Sequence, residues 1–351
     1  MLPYQPPWYL KNGSIMTVVT DLWYGTTWRR WGDLVTWLRY LPKVPWQEHI
    51  FTGAEGVPLW GLWSCPTDAR GTIILNLGIT AQVKNAWYAH IFARKAYNRG
   101  FAVLIYDWRG HGRTAELSPV PSSYGWREGE DQVKMAAQLV AMGCPKRVAL
   151  VGFSIGGQLA LWGLKAASEQ NSPLICGAAA LSCHLESTRS LAHLRSRAVG
   201  RIIEQHFVKN LRAEAEKRRQ LFPHTVKAGA VERIRSIDSF DQEMAIDYYG
   251  FTSVAEYYQK TSAIYFLDKL TLPYLIVYSQ DDPMFDPKLI AEVEQLMGGN
   301  PNAHLILTQF GGHMAHIGVN TGSEDKFWGM NRLLEFCERL LDNSSSVSII
   351  Y

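Results

Sequence analysis

Short apolar runs alternate with helical patterns from about residue 70 onward, and this alternation constrains the fold more than any other feature. The apolar, β-rich runs that are typical of buried strands are 71–78, 101–108, 147–153, 174–182, 273–279 and 303–310. Segments with helical spacing lie at 85–100, 128–143, 156–169 and 324–342. Strands that are apolar on both faces and alternate with helices predict a parallel sheet covered by helices on both sides, so we expect an α/β fold.

Two segments interrupt the alternation. Residues 46–64 predict a hairpin that turns at Glu55-Gly56 and adds an antiparallel edge to the sheet. Residues 185–260 are too long and too helical for a bare loop, and they predict a helical cap inserted between two strands. Such a cap would lie over the carboxyl ends of the strands, where open α/β sheets bind ligands. We therefore expect one domain over residues 1–351, with 1–45 as an N-terminal extension.

The charge of the predicted cap is divided along the sequence. Residues 189–219 contain nine basic and three acidic side chains, whereas residues 232–256 contain six acidic and two basic ones. The favoured interpretation is that two solvated helix faces pair with each other. The alternative is a basic rim that attracts an anionic substrate or a lipid surface.

A glycine-rich turn lies between the run 147–153 and the helical segment that follows it. Gly152, Ser154 and Gly156 form a Gly-x-Ser-x-Gly pattern in the strand–turn–helix context that a nucleophilic serine requires. A phosphate loop would need Lys and then Ser or Thr where Gln158 and Leu159 stand, and Ser154 occupies the place of the second glycine of a dinucleotide fingerprint. The serine also excludes hydrolases with an aspartate nucleophile. The turn therefore predicts a serine nucleophile, provided that a base and an orienting acid accompany it.

Both partners follow later predicted strands. Asp281 and Asp282 come after the run 273–279, and His313 comes after the run 303–310. The order Ser, Asp, His is that of the α/β-hydrolase fold, which is the fold we expect. We assign His313 as the general base toward Ser154 and Asp282 as the acid that orients its ring, with Asp281 as the alternative acid and His316 as the alternative base.

A hydrolase of this kind also needs two backbone N–H groups to stabilise the negative oxygen of its tetrahedral intermediate. The predicted donors are Ile155, which directly follows the nucleophile, and Ile79, which lies in the loop after the first parallel strand. Leu77 stands where many hydrolases have His, but the donor is a backbone group and does not depend on that side chain.

Composition limits the other function classes. The 351 residues carry a formal net charge of only +3, which does not indicate a nucleic-acid partner. The five scattered cysteines predict neither a disulfide scaffold nor a zinc site, and we expect no cofactor and no metal. We find no signal peptide and no apolar run long enough to span a membrane, so we expect a cytoplasmic protein.

One segment leaves peripheral membrane contact open. Residues 23–42 mix Trp with Arg and have helical apolar spacing at Leu34, Trp37, Leu38 and Leu41. Docking of this segment onto the main domain is the favoured interpretation, and contact with a membrane surface is the alternative. The expected partner is a small-molecule or lipid-like ester substrate, and the sequence leaves the oligomeric state open.

Several segments resemble the YheT-like esterases, a branch of the α/β-hydrolases, and the likeness spans nearly the whole chain. The segments are "YQPPWYLKNGSIMTV", "YDWRGHGRT", "VGFSIGGQLA", "YYGFTSVAEYYQKTSAIYFLDKLTLPYLIVYSQDDP" and "GGHMAHIG". The resemblance implies a serine esterase or lipase-like enzyme that forms an acyl-enzyme, with Ser154, Asp282 and His313 on the family's triad positions. Some relatives transfer acyl groups to alcohols, so an acyltransferase is an alternative function. A non-catalytic binding protein on the same scaffold is an alternative of another class.

Overall fold

The structure is a computed structural model that describes residues 3–31, 34 and 41–342. Within these residues, eight strands form one sheet in the order β1-β2-β4-β3-β5-β6-β7-β8. The strands are β1 Gln47–Thr52, β2 Pro58–Ser64, β3 Gly71–Asn76, β4 Phe101–Tyr106, β5 Val148–Phe153, β6 Ile175–Leu181, β7 Tyr274–Ser279 and β8 Ala303–Thr308. The β3-to-β8 part is parallel throughout, which confirms the predicted α/β fold.

The predicted hairpin forms the antiparallel edge of the sheet. β1 pairs with β2 from Gln47 opposite Trp63 to Thr52 opposite Pro58, and β2 in turn pairs antiparallel with β4. A short 3₁₀ turn over Ala54–Gly56 joins the two strands, as the sequence predicts. The hairpin therefore extends the sheet beyond its parallel part.

The described part of the chain contains fourteen α-helices, and the longer ones pack on the sheet or on each other. The helices are α1 Gly13–Thr20, α2 Thr26–Trp31, α3 Trp87–Asn98, α4 Thr114–Leu117, α5 Trp126–Ala141, α6 Ile155–Glu169, α7 Ser187–Ser196, α8 Ala198–Leu221, α9 Ala230–Arg233, α10 Ile237–Asp241, α11 Asp247–Tyr249, α12 Val254–Thr261, α13 Pro287–Gly298 and α14 Trp328–Leu341. Every residue of β3, β4, β5 and β7 is buried. Because successive side chains of a strand point to opposite faces, these strands are covered on both faces.

Helices α7 to α12 lie between β6 and β7, and we call them the helical insertion. It contains a small apolar cluster of its own, built from Val208, Ala215, Ala230, Val231, Ile234 and Met244. Its basic and acidic parts are joined by ion pairs, with 2.7 Å between Arg195 and Asp238 and 3.1 Å between Arg219 and Glu232. These pairs agree with the favoured interpretation of the divided charge.

The N-terminal segment is helical and lies against the main domain with one side. Asn12 starts α1 by accepting a hydrogen bond from the Ile15 amide at 3.0 Å, and a π-helical turn over Asp21–Gly25 links α1 to α2. The buried side chains of this segment recur every four residues: Met16, Thr20, Tyr24 and Trp28. The described residues of this segment therefore contact the main domain through these side chains.

The predicted apolar positions of segment 23–42 are only partly described. Trp37 and Leu38 lie outside the described residues, Leu34 is exposed, and Leu41 is buried. In the part of the chain that the structure describes, no helix combines the length and the apolar character that crossing a membrane would require.

Candidate active site

Ser154 stands on a strained turn between β5 and α6. Its φ of 57° and ψ of −125° lie in a region that residues with side chains rarely adopt. A Cβ atom on Gly152 would come within 2.1 Å of the Gly156 carbonyl oxygen, and one on Gly156 would come within 2.2 Å of the Asn76 carbonyl oxygen. The turn is therefore sterically possible only with glycine at both positions, which is the physical content of the Gly-x-Ser-x-Gly pattern.

The structure brings the three predicted side chains together in one hydrogen-bonded row. The His313 ring has Nε2 at 2.9 Å from the Ser154 Oγ and Nδ1 at 2.9 Å from the Asp282 Oδ2. All three residues are buried. Because a carboxylate only accepts hydrogen bonds, the proton of a neutral His313 ring belongs on Nδ1, which leaves Nε2 free to accept the serine proton.

The two adjacent aspartates have different partners. Asp282 contacts His313 through one oxygen, and its Oδ1 accepts the Met284 amide at 2.9 Å, which fixes the carboxylate. Asp281 instead accepts, through Oδ1, a hydrogen bond of 2.9 Å from the backbone amide of Gly312. The geometry therefore favours Asp282 as the orienting acid, while Asp281 supports the loop that carries His313.

The alternative base does not face the serine. His316 is fully buried, its Nε2 lies 3.2 Å from the Thr308 Oγ1, and burial lowers the pKa of its ring to about 4. His111, which also follows a strand, stacks on Trp108 at 3.6 Å between ring centroids. Among the histidines that the structure describes, His313 is the one whose ring hydrogen-bonds to Ser154.

The two predicted backbone donors flank the serine. Ile155 is the first residue of α6, so its amide has no acceptor within the helix. Ile79 follows β3, and the two isoleucines line the same pocket as Ser154. The neighbouring Gly78 amide already donates to the Tyr88 hydroxyl at 2.9 Å, which leaves Ile79 as the better candidate in that loop. Their role as donors to an oxyanion stays a prediction.

An apolar pocket opens above Ser154 and includes about 510 Å³ of space, part of it open to solvent. One wall comes from the helical insertion and another from the loop after β7. The apolar residues of the lining, apart from the two isoleucines beside the serine, are Leu191, Leu194, Phe207, Ile237, Met284 and Phe285. The pocket therefore offers an apolar ligand a place directly beside the serine hydroxyl.

A buried group that sequence reasoning missed ties the insertion to the main domain. Asp241 accepts hydrogen bonds from the Tyr124 hydroxyl at 2.8 Å and the Tyr258 hydroxyl at 2.5 Å, and both tyrosines line the pocket. Burial raises the pKa of Asp241 to about 7. Tyr124 and Asp241 are 117 positions apart in the chain, and no local pattern in the sequence signals such a contact.

His184 is a second residue that sequence reasoning missed. Its backbone amide donates to the Ser154 carbonyl at 3.0 Å, and its Nε2 lies 2.9 Å from the Ser187 Oγ in the pocket wall. Burial, with a smaller effect from His313, lowers the pKa of the ring to about 4, so the ring is neutral at pH 7. It adds a polar but uncharged group beside the serine.

The N-terminal helix α1 supports the loop that carries His313, and this contact was also missed. The His313 amide donates to the Thr17 Oγ1 at 2.7 Å. Gly13 packs so closely on this region that an added Cβ would come within 1.8 Å of the Asp281 carbonyl oxygen. The sequence signal nearest to this contact is Asn12-Gly13, the start of α1, which lies in the first segment of the family resemblance.

Comparisons with known proteins agree with the fold described above. The profile of the α/β hydrolase fold family matches residues 71–318. "Putative esterase slr0264" from Synechocystis sp. is 35% identical, with 96% of this chain and 94% of that protein aligned. "Putative esterase YheT" from Escherichia coli is 26% identical, with 86% of each chain aligned. The expected resemblance to YheT-like esterases is therefore confirmed.

The solved structures show the fold alone. The Pyrococcus furiosus esterase PF2001 superimposes with a TM-score of 0.53 at 18% identity, covering 85% of this chain and 92% of that one. With the profile match over most of the chain and the alignment to slr0264 over nearly all of it, the conclusion is direct: the chain belongs to the α/β-hydrolase family.

Proposed function

We propose that the protein is a serine hydrolase that cleaves carboxylic esters through an acyl-enzyme. The observation that carries this proposal is the buried row of hydrogen bonds from Ser154 through His313 to Asp282, at the base of an apolar pocket. The names of the two aligned relatives support ester chemistry, and the family supports hydrolysis.

The first half-reaction forms the acyl-enzyme. The Ser154 Oγ attacks the ester carbonyl carbon while its proton passes to the His313 Nε2, and Asp282 stabilises the resulting imidazolium. The carbonyl oxygen, now negative, accepts hydrogen bonds from the Ile155 and Ile79 amides. The intermediate then collapses, the C–O bond of the ester breaks, and His313 returns the proton to the departing alcohol.

The second half-reaction releases the acid. Water takes the place of the alcohol, His313 accepts its proton, and the hydroxide attacks the acyl carbon. The Ser154–acyl bond breaks, and the serine oxygen takes the proton back from His313. No cofactor enters either half of this mechanism.

The pocket indicates the substrate class. Its lining contains no Asp, Glu, Lys or Arg among the described residues, and His184 is neutral at pH 7. Burying a charged group there would be costly without a partner, whereas an alkyl chain gains from leaving water. We therefore propose an uncharged, apolar acyl group, with the helical insertion acting as the cap over it.

The test combines activity with covalent labelling. The purified protein is assayed against p-nitrophenyl esters of increasing acyl length, and it is treated with a fluorophosphonate probe that reacts with activated serines. We expect the wild-type protein to hydrolyse esters and to be labelled. In Ser154→Ala, turnover should fall by about 10⁴-fold or more and labelling should be lost. Ser190→Ala is the matched control, because Ser190 lines the same pocket and its Oγ has no hydrogen-bond partner.

Each alternative function has its own outcome. A folded protein that is neither labelled at Ser154 nor active would favour a binding protein on the same scaffold. Added alcohol separates hydrolysis from acyl transfer, because a transferase forms a new ester at the expense of free acid. Activity that persists in Ser154→Ala would contradict the proposed nucleophile.

A further inference from the structure

The N-terminal helices expose an apolar surface in addition to the one they bury. Six aromatic or aliphatic side chains of residues 8–31 are at least half exposed to solvent, from 50% for Ile15 to 83% for Trp8. We call this set the outer face: Trp8, Tyr9, Ile15, Leu22, Trp23 and Trp31.

Helical spacing places the central members of the outer face on one side. Leu22 and Trp23 follow Ile15 by seven and eight positions. Val18 and Val19, which lie between them, are also exposed. Side chains with this spacing share one face of a helix. The opposite side of the same segment is the buried stripe that starts at Met16. A surface helix of a soluble protein normally presents polar residues to water, so exposed apolar side chains in this number indicate a binding surface.

The segment that carries the outer face has an excess of positive charge of its own. Residues 3–31 contain three basic side chains and one acidic one, and Lys11, Arg29 and Arg30 are all exposed. The Arg30 guanidinium lies 5.3 Å from the centre of the Trp31 ring, which places a cation directly beside an exposed indole. Tryptophan, tyrosine and basic residues on one amphipathic surface are the combination that favours the headgroup region of anionic membranes.

From this combination we propose that the outer face docks on an anionic lipid surface. The exposed indoles would enter the boundary between headgroups and acyl chains, and the basic side chains would contact lipid phosphates. A second copy of the chain fits less well, since self-association of the face would bring the same excess of positive charge together from both sides. An anionic membrane neutralises that charge and covers the apolar side chains at once.

The proposed docking surface lies on the helix that supports the site. Thr17 faces the main domain, where its hydroxyl oxygen accepts a hydrogen bond from the His313 amide. Val18 and Val19 are exposed on the same helix. The lipid surface would therefore lie one helix away from the loop that carries His313.

Vesicle flotation tests the proposal on the full-length protein. At low ionic strength, we expect co-flotation with vesicles that contain phosphatidylglycerol and much weaker co-flotation with pure phosphatidylcholine. The double substitution Leu22→Ser with Trp23→Ser should weaken binding by about tenfold or more, and so should Arg29→Glu with Arg30→Glu. Raising NaCl to about 0.5 M should weaken binding of the wild-type protein, because the lipid charges are screened.

A matched control removes exposed apolar area elsewhere. Ile202 on α8 is 71% exposed, and Ile202→Ser should leave flotation unchanged. Circular dichroism and thermal unfolding establish that each variant is folded before its binding is interpreted.

Three results would overturn the proposal. The first is a wild-type protein that does not float with anionic vesicles at low salt. The second is flotation that the outer-face variants and Ile202→Ser change equally. The third is a wild-type protein that does not float and that light scattering shows to be a dimer, while the Leu22/Trp23 variant is a monomer. That result would assign the outer face to a second copy of the chain.

Discussion

The Thr17 hydroxyl oxygen accepts a hydrogen bond from the backbone nitrogen of His313 at 2.7 Å, although the two residues are 296 positions apart. The same hydroxyl donates to the Gly13 carbonyl at 2.7 Å, so it is held in place by its own helix. Helix α1 thereby fixes the backbone from which the proposed general base projects. The N-terminal segment is thus a structural part of the candidate active site.

We expect Thr17→Val to lower kcat/KM toward a soluble ester by about tenfold, because the His313 amide loses its acceptor and the loop loses a fixed position. Thr17→Ser keeps the hydroxyl and should retain activity near that of the wild-type protein. Steady-state kinetics with both variants checks this. Equal activity of the two variants would contradict a positioning role for the hydroxyl.

The adjacent aspartates should differ in their effect on turnover. Asp282→Asn is expected to reduce kcat by about 10³–10⁴-fold, because the amide cannot hold the Nδ1–H tautomer of His313 as the carboxylate does. Asp281→Asn keeps an oxygen acceptor for the Gly312 amide and should cost less than about tenfold. Kinetics of the two variants in parallel decides the assignment, and a reversed order would make Asp281 the orienting acid.

The pocket wall formed by α7 should determine acyl-chain length. Leu191 is buried and lines the pocket, so Leu191→Trp should fill part of it and lower kcat/KM for an octanoyl ester about tenfold relative to an acetyl ester. Val199→Trp adds the same ring at an exposed position of α8 and should not alter the ratio. An unchanged ratio in Leu191→Trp would place the acyl group elsewhere.

Buried His316 should make the fold sensitive to acid. Burial lowers the pKa of this ring from 6.5 to about 4, so between these values the unfolded chain binds a proton that the folded chain does not. The free energy of unfolding therefore falls as the pH drops from about 6.5 to about 4, by up to about 3 kcal/mol from this group. In His316→Gln, the free energy of unfolding should fall less over this pH range, and the difference from the wild-type protein should be about that amount.

Urea denaturation at a series of pH values measures this difference. His224 is exposed, and His224→Gln serves as the control that should keep the slope of the wild-type protein. If His316→Gln kept that slope as well, the ring would have to be protonated in the folded state.

The parts of the fold that the sequence predicts are those whose signal is local. β3, β4 and β5 are nearly continuous apolar runs, and the hairpin turn at Glu55-Gly56 has its own turn residues, so each could be recognised from a few adjacent positions. The proximity of Ser154 and His313 could be predicted because each follows the end of a strand in the parallel sheet. Strand ends of a parallel sheet meet at one edge, which brings distant residues together by topology alone.

What the sequence leaves open depends on side-chain direction and long-range packing. Asp281 and Asp282 follow the same strand, and only the backbone path after β7 decides which carboxylate faces the ring. The contact of Asp241 with Tyr124 and Tyr258 joins the helical insertion to the main domain, and the contact of α1 with the His313 loop joins the N-terminal segment to the loop after β8. A single sequence carries no record of such pairs.

The hydrogen bond between α1 and the His313 loop also imposes a thermodynamic reciprocity. If ligand binding orders the loop and thereby strengthens the docking of α1, then docked α1 must strengthen ligand binding by the same coupling free energy. An occupied serine should thus slow amide hydrogen exchange in residues 13–20, far away in sequence from any residue that the ligand touches. Hydrogen exchange in α1 would then report on the chemical state of the loop that carries His313.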